Sequence, residues 1–154
     1  MLEMVIENQI IERICFQEFP NEKRFYLKNS VIDILECTSF EAEGEVVIEK
    51  CIINNLQIHS CWFRQGLIFS RNHVVNYIDY QMGGHNHEPM IFDCNIFLDV
   101  FNFFDCRFES ELSVTRNIFC KGTNLLGNLD TGYKNQFEKG VTVLENVGVL
   151  DLDT

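Results

Sequence analysis

The hydrophobic and polar positions of this chain recur with a period of about 22 residues. Steps of 22, 21, 21, 23, 22 and 29 residues connect the members of one apolar column, which are Val5, Leu27, Ile48, Phe69, Phe92, Val114 and Val143. Three places after this column, five of seven residues are asparagine, although asparagine makes up only 15 of the 154 residues. A repeat of this length through a whole chain predicts a stack of equivalent units.

Three flanking columns give each unit the same internal pattern. Two places before the first column stand Glu3, Phe25, Val46, Leu67, Met90, Leu112 and Val141. Five places after it stand Ile10, Ile32, Ile53, Val74, Phe97, Phe119 and Gly148. The polar column between them is Asn8, Ser30, Cys51, Asn72, Asn95, Asn117 and Asn146. Apolar residues two apart indicate β-strands with one buried face, so these columns predict an inward-facing wall.

The length of the unit favours a β-solenoid over other repeat folds. Units this short cannot bury their apolar faces alone, whereas units stacked in register share one continuous core. Helical repeats are usually longer than about 30 residues, and Val, Ile, Phe and Asn favour strands and turns over helix. The sequence therefore predicts an all-β protein whose residues 1–154 form a single-domain right-handed parallel β-helix of about seven coils.

The asparagine column has two interpretations. Asparagine tolerates the left-handed backbone region, and its side chain bonds to nearby backbone, so it suits sharp turns. Asparagine amides one strand spacing apart also bond to one another in ladders. We expect Asn72, Asn95 and Asn117 at equivalent bends, with their amides in an inward ladder. The alternative is a set of exposed turn residues without a ladder.

Two short stretches resemble the pentapeptide-repeat proteins and their looser relatives. Residues 103–108, Phe-Phe-Asp-Cys-Arg-Phe, match the Phe-x-x-Cys-x-Phe pattern of those relatives. Residues 123–127, Thr-Asn-Leu-Leu-Gly, fit the five-residue unit of the family. The regular five-residue step is absent elsewhere, so the resemblance implies an irregular right-handed β-helix. Some members of that family resemble DNA in shape and charge and bind topoisomerases.

Two units are longer than the rest. One contains a polar stretch at 81–90, and the other carries extra residues at 127–140. Insertions in solenoids emerge as loops on one face, which is often the binding face. We expect both stretches to be solvated loops, and their functional role is open at this point.

The first of these loops holds the two candidate metal ligands, His85 and His87. Alternate residues of an extended loop share one side, so both imidazoles would meet one ion, with Glu88 or His73 completing the site. Structural zinc takes four ligands, and two in a loop fall short of that number. We therefore expect no metal and no cofactor.

The formal net charge of −11 bears on the choice of partner. Nucleic-acid binding needs basic groups that displace counterions from phosphates, so we expect no nucleic acid. Lys50, Arg71 and Arg116 follow the main column by two places, and we interpret them as charge balance. A dense acidic run is either a solvated face that resists aggregation or an acidic docking face. Its members are Asp33, Glu36, Glu41, Glu43, Glu45 and Glu49.

The expected absence of targeting segments and the pattern of cysteines both indicate a reducing compartment. No apolar run reaches the roughly 18 residues of a membrane helix, and residues 1–7 lack the basic segment of a secretion signal. We therefore expect a cytoplasmic protein without membrane contact. The chain has seven cysteines and no Cys-x-x-Cys pair. We expect these thiols to pack in the core and turns rather than form disulfides or a zinc site.

No catalytic motif is visible in the sequence, so we assign no catalytic residue. Asp93, Asp99 and Asp105 share one coil, but glycoside cleavage needs a carboxylate pair at a set separation. We predict a non-enzymatic binding or scaffold module that presents a β-helix face to a protein partner. The alternatives are an acidic DNA mimic or toxin-neutralising protein, and a small carbohydrate-active enzyme.

The ends of the predicted rod raise the question of self-association. A β-helix leaves a bare strand edge at each end, and exposed edges pair with other chains unless they are covered. The final segment, 147–154, alternates apolar and polar residues without a helix to cap it. We expect either a homodimer through a coil end or terminal acids that keep the protein monomeric.

Overall fold

The computed structural model describes residues 2–154, and its strands are short and stacked in parallel. In chain order they are β1 (Glu3–Glu7), β2 (Ile10–Cys15), β3 (Arg24–Lys28), β4 (Val31–Glu36), β5 (Glu41–Ala42), β6 (Val46–Glu49), β7 (Ile52–Gln57), β8 (Trp62–Phe63), β9 (Leu67–Ser70), β10 (His73–Val74), β11 (Ile78–Gln81), β12 (Met90–Asp93), β13 (Ile96–Phe97), β14 (Phe101–Phe104), β15 (Arg107–Phe108), β16 (Leu112–Thr115), β17 (Ile118–Phe119), β18 (Gln136–Phe137) and β19 (Val141–Leu144). One turn of 3-10 helix, Phe16–Glu18, follows β2. The predicted all-β parallel solenoid is confirmed.

Four faces form the sides of the coil. Face 1 is a seven-stranded sheet in the order β1-β3-β6-β9-β12-β16-β19, and face 2 is a six-stranded sheet in the order β2-β4-β7-β10-β13-β17. Face 3 contains β11 and β14. Face 4 stacks β5 on β8 and β15 on β18, with single bridges from Gly84 to Trp62 and to Arg107 between them. Seven strands on face 1 delimit about six full turns, close to the predicted seven coils; the right-handed sense stays a prediction.

The register of face 1 confirms the main apolar column from the second coil onward and corrects it in the first. From Leu27 onward, each member pairs with the next. In the first coil, Ile6 rather than Val5 pairs with Leu27. A one-residue slip turns a side chain to the opposite face, so Val5 and Ile10 point outward and are 56% and 89% exposed. Ile11 takes the inward place predicted for Ile10.

Packed phenylalanine rings fill the centre of the upper coils, which are those from β9 onward. Phe69, Phe92 and Val114 point inward on successive strands and are at most 1% exposed, as predicted. Phe101 and Phe103 lie edge-on to Phe92, with ring centroids 5.7 and 5.9 Å from it. Such geometries add to the stabilisation that burial alone provides. The core is therefore continuous from coil to coil.

The predicted inward asparagine ladder is present at the corner between faces 1 and 2. Asn72, Asn95 and Asn117 have no solvent exposure. Asn95 Oδ1 accepts a hydrogen bond from the backbone N–H of Asn72 at 2.9 Å. Asn95 Nδ2 donates to the carbonyl of Phe69 at 2.8 Å and to Asn117 Oδ1 at 2.9 Å. The ladder thus satisfies backbone groups that the corner removes from strand pairing.

The left-handed conformation at this corner belongs to the residue before each ladder position. Lys50, Arg71 and Arg116 each have φ 56°. The ladder asparagines follow directly, at equivalent bends as predicted, with their side chains pointing inward. Asn8, the predicted first member of the ladder, is one of these outer corner residues, with φ 57°. The backbone N–H of Gln9 continues the ladder to Ser30 Oγ at 3.1 Å.

A second corner explains the stretch that resembles pentapeptide-repeat relatives. Asp105 has φ 53°, and the next residue, Cys106, is buried between the inward-facing Phe103 and Phe108. The backbone N–H of Cys106 donates to Asn135 Oδ1 at 3.0 Å, and Asn135 Nδ2 donates to the carbonyl of Phe103 at 3.0 Å. Asn135 therefore repeats at this corner the bonding of the ladder asparagines.

The two ends of the rod are finished differently. The backbone N–H of Asn128 donates to Asp153 Oδ1 at 2.8 Å, and Asn128 Oδ1 accepts from the N–H of Thr154 at 2.9 Å. The final segment thus extends the last coil, while residues 129–134 form an exposed loop. At the first coil, the inward-facing Met4 and Ile6 remain half exposed. A dimer through a coil end stays a prediction.

We expect Phe92→Ala to lower the free energy of unfolding by about 3–5 kcal/mol, because it leaves a cavity among packed rings. Urea unfolding measures this change. Phe104→Ala is the matched control, since Phe104 is half buried and stacks on Tyr133 alone, with ring centroids 5.1 Å apart. Equal losses in the two variants would contradict the placement of Phe92 in the core.

We expect Asn95→Ala to lower the free energy of unfolding by about 2 kcal/mol or more. The substitution leaves buried hydrogen-bond donors and acceptors without partners, and each such group costs about 1–3 kcal/mol. Asn76→Ala is the control: Asn76 is exposed, and its amide donates to Asn55 Oδ1 at 2.9 Å. Thermal and urea unfolding of both variants measure the difference. A loss at position 95 no greater than that at position 76 would show that the ladder does not stabilise the corner.

Candidate functional site

A line of outward-facing aliphatic side chains runs the length of face 2. The strand register stacks them directly above one another, with His73 as the single interruption. Seven positions at the usual spacing of parallel strands span roughly 29 Å. We call the six aliphatic members the aliphatic ladder; they are Ile10, Val31, Ile52, Ile96, Ile118 and Val147.

Five of the six members of the aliphatic ladder are exposed to solvent, and Ile96 is half buried. Ile52 is 46% exposed and Val147 is 62% exposed, at opposite halves of the rod. Leu98, on the same face and two places after Ile96, is also exposed and widens the apolar strip in the upper coils. Contiguous exposed apolar patches mark interaction sites more often than scattered residues do. Face 2 is therefore the strongest candidate for a functional surface.

A row of basic residues borders the aliphatic ladder at the corner with face 1. Lys50, Arg71 and Arg116 immediately precede the buried corner residues, and all three are exposed. Arg116 is held by Asp93, with nitrogen to oxygen distances of 2.9 and 2.7 Å. This guanidinium lowers the pKa of the Asp93 carboxyl. Lys50 and Arg71 make no ion pair with residues 2–154, so charge balance accounts for Arg116 alone.

The aliphatic ladder has a signal in the sequence, although none of the predicted columns contains it. Once Ile6 replaces Val5 in the main column, the ladder members stand four places after that column, directly before the inward positions. With Ile6 in place of Val5, two successive apolar positions in five of the seven units indicate one inward and one outward side chain. The incorrect register of the first coil concealed this, because it placed Ile10 in the core.

The stretch at 81–90 is part of the coil wall at its centre, so the expectation of a solvated loop is wrong there. Gly83, Gly84 and Asn86 are buried. Gly84 has φ 92°, and a Cβ on it would lie 2.1 Å from the carbonyl oxygen of Arg107 in the next coil. Only glycine fits such a close backbone approach. At 127–140, by contrast, residues 129–134 form the predicted exposed loop.

His85 and His87 both lie near one carboxylate, Glu109. His85 Nδ1 is 3.0 Å from Glu109 Oε1, and His87 Nε2 is 4.0 Å from Glu109 Oε2. The His85 ring also packs on Trp62, with ring centroids 4.5 Å apart. The hydrogen bond from His85 is the main cause of a lowered Glu109 pKa. The partner of the histidine pair is therefore a residue of the next coil, which sequence spacing does not indicate.

The other residues considered for a metal site lie elsewhere. His73 is on face 2, in the line of the aliphatic ladder, and Glu88 is exposed at the corner before face 1. Within residues 2–154, no three histidine, cysteine, aspartate or glutamate side chains converge in a way that would hold a metal ion. The expectation of no metal and no cofactor stays a prediction.

The acidic run at 33–49 is divided among the faces. Glu41 pairs with Arg64 at 2.6 Å, and Glu49 pairs with Lys28 at 3.2 Å. Glu36 pairs with Arg13, whereas Asp33 accepts hydrogen bonds from the amides of neighbouring asparagines. Because the chain turns twice between these positions, the run does not form one continuous acidic face.

The three aspartates of one coil are also kept apart. Asp93 ends β12 beside Arg116, Asp99 accepts from the backbone N–H of Val100 at 2.8 Å, and Asp105 occupies the left-handed position of the second corner. Each lies at a different bend of the coil, so the structure does not assemble them as a catalytic carboxylate pair.

The seven cysteines are free thiols, and four of them are buried. Burial raises the pKa of Cys37 and Cys51, and raises the pKa of Cys106 to about 12. Buried thiols of this kind act as small apolar groups and react poorly. The predicted packing role is confirmed for the buried four, whereas Cys120 is exposed on face 2.

No protein-family model matches the chain, and no curated protein and no solved structure is significantly similar to it. Residues 2–154 contain no helix with the length and apolar character needed to cross a lipid bilayer. The surface of the solenoid itself is therefore the basis for inferring a function.

We expect His85→Ala to lower the free energy of unfolding by about 1 kcal/mol, because it removes a hydrogen bond to a carboxylate. His87→Ala is the control, since its ring is 58% exposed and 4.0 Å from Glu109. Added zinc should leave the melting temperature of the wild type unchanged. A zinc-dependent rise that both substitutions abolish would establish a metal site.

The Glu109 carboxylate should also make stability depend on pH. Its pKa is lowered in the folded protein, so its stabilisation is complete above the ordinary value of 4.5 and is lost as the pH falls through the folded value. The difference in unfolding free energy between wild type and Glu109→Gln should therefore shrink as the pH falls from 4.5 towards 3. Urea unfolding across this range measures it, and a difference that grows would contradict the assignment.

Proposed function

We propose that this protein is a non-enzymatic binding or scaffold module that presents face 2 to a protein partner. The aliphatic ladder carries this proposal: a line of exposed Ile and Val side chains on a rigid, regularly spaced surface. Fully burying one such side chain contributes about 1.5–3 kcal/mol. A partner that covers several of them gains affinity without any catalytic group on this chain.

The surroundings of the aliphatic ladder indicate the chemistry of the partner. Lys50 and Arg71 border it on one side without an ion pair to residues 2–154. Oppositely charged borders steer association and fix the orientation of a complex. The partner surface should therefore combine an apolar strip with acidic residues along one edge. A cytoplasmic location belongs to the same proposal, and the seven free thiols support a reducing compartment.

The two alternatives have weaker support. A DNA mimic or toxin-neutralising protein needs a continuous acidic surface, whereas the acids at 33–49 are spread over several faces and partly paired with bases. A carbohydrate-active enzyme needs converging carboxylates, whereas Asp93, Asp99 and Asp105 lie at separate bends. Neither alternative uses the aliphatic ladder.

The test compares capture of partners by three immobilised proteins from an extract of the cells that make this chain. They are the wild type, Ile52→Lys with Ile118→Lys, and the charge-matched control Gln57→Lys with Ser70→Lys. The control alters outward positions outside the aliphatic ladder, at the far end of β7 and at the end of β9. We expect the ladder variant to capture at least tenfold less of a specific partner, because it places charge in an apolar interface. The control should capture as much as the wild type.

Each other outcome has a defined meaning. Equal capture by all three proteins would refute the aliphatic ladder as the binding surface. Loss in both double variants would show that negative charge drives capture and would favour the acidic mimic. Light scattering completes the test: a dimer that becomes a monomer only in the ladder variant would identify the partner as a second copy, and a dimer in every variant would place self-association elsewhere, as at a coil end.

A further inference from the structure

A groove runs along the corner between face 4 and face 1, away from the aliphatic ladder. Two adjoining cavities of about 520 and 510 Å³ form it, and they share Pro89 and Ile91. The groove extends from Arg24 in the second coil to Thr142 in the last. Five coil spacings separate these strands, so its length is roughly 24 Å.

Close stacking of backbone at this corner creates the recess. A Cβ on Gly44 would lie 2.1 Å from the carbonyl oxygen of Lys23, and one on Gly66 would lie 2.5 Å from that of Pro89. Gly66 also has φ 84°, which L side chains rarely adopt. Side chains are therefore excluded from the corner itself, and the surface between the neighbouring faces stays open.

The floor of the groove is apolar at its middle, and Ser113 and Thr142 continue it as polar residues towards the last coil. Ile68 and Ile91 are paired residues on β9 and β12, and both point outward into the groove. Each is half buried, in a position that most strands on a solvated face give to polar residues. This floor gives a ligand an apolar contact that runs along the rod.

The rim of the groove is acidic and largely without partners. Glu45 accepts a hydrogen bond from the Tyr26 hydroxyl at 3.3 Å, but no ion pair within residues 2–154 involves the other four acids. Outside the groove, many carboxylates of this chain are paired with a base. The bases that line the groove are Arg24 and Lys139. The rim acids are Glu22, Glu43, Glu45, Glu88 and Glu111.

We propose that this groove binds an extended segment of a partner protein in which lysine or arginine alternates with aliphatic residues. In an extended chain, successive side chains point to opposite sides, so the aliphatic residues would face Ile68 and Ile91 while the cationic ones reach the rim. About seven extended residues fill the length of the groove. The proposal shares with the proposed function only the premise of a protein partner, since it uses a different surface.

The chemistry of the groove separates this occupant from two others. Unpaired carboxylates repel the phosphates of nucleic acids. A divalent cation needs several oxygen ligands around one point, whereas the rim acids are distributed along successive coils. The isoleucine floor supplies no ligand atom for a cation. A cationic and aliphatic peptide uses both features.

Fluorescence anisotropy with labelled heptapeptides tests the proposal. The probe alternates lysine with valine, and the reference peptide alternates lysine with serine, so that both carry the same charge. We expect the valine peptide to bind at least tenfold more tightly than the serine peptide to the wild-type protein. Equal binding of the two would show that the apolar floor is not used.

Matched protein variants locate the site. Glu43→Gln with Glu88→Gln should weaken binding of the valine peptide at least tenfold, whereas Glu12→Gln with Glu145→Gln, which changes the net charge equally at exposed positions outside the groove, should weaken it less than twofold. Equal weakening would reduce the interaction to nonspecific attraction by net charge. Competition by millimolar calcium but not by sodium at equal ionic strength would assign the rim to a cation instead.

Two further double variants distinguish the groove from the aliphatic ladder as the surface that binds the peptide. Ile68→Thr with Ile91→Thr should abolish the preference for valine over serine, whereas the identical change at Ile52 and Ile118 should leave it intact. Threonine keeps the β-branched shape, so both variants should fold. Loss in the second variant alone would place the peptide on face 2, which would refute the groove and support the proposed function.

Discussion

Every feature of this structure depends on the register in which each coil meets the next. The strands are short, so parallel pairing alone fixes few residues, and the corners between strands supply the remaining constraint. At the corner between faces 1 and 2, buried asparagine amides join Asn72, Asn95, Asn117 and Asn146 across successive coils. Each amide serves backbone groups of the coil before it, so a slip by one residue would leave several buried groups unpaired. Within residues 2–154, no buried side-chain nitrogen or oxygen lacks a partner.

The part of the fold that could be predicted from sequence is the part that this constraint repeats. Inward columns and ladder asparagines recur in equivalent chemical types, and the period therefore indicated the stack and most of its core. The first coil lacks this information, because Val5 and Ile6 are both apolar and Asn8 stands one place before Gln9, which occupies the ladder position. Hydrophobicity does not distinguish two neighbouring aliphatic residues, so the choice between steps of 21 and 22 residues depended on packing against the second coil.

The surface features could be predicted less well, because they depend on neighbours in other coils. The glycine and histidine residues at 83–87 have the composition of a loop, yet Gly84 bridges two strands and His85 packs on Trp62. Local propensity indicates what a segment prefers in isolation, and tertiary stacking overrides it here. The acidic run is a second case, since residues close in sequence occupy different faces wherever the chain turns a corner. From sequence alone, a column of Ile and Val residues is interpreted as core. Only the strand register shows that the column points outward.

The division between inward and outward positions also separates stability from function in this protein. Inward side chains and corner amides determine whether the coils stack, and outward side chains contribute little to that stacking. In a solenoid each coil contacts mainly its neighbours, so outward positions are free to change without loss of the fold. Two surfaces depart from a polar exterior. They are the aliphatic ladder on face 2 and the isoleucine floor between unpaired acids at another corner. Neither is required by the stack; the aliphatic ladder continues along the rod, and the isoleucine floor spans two coils. Binding to a partner is the role that we propose for both.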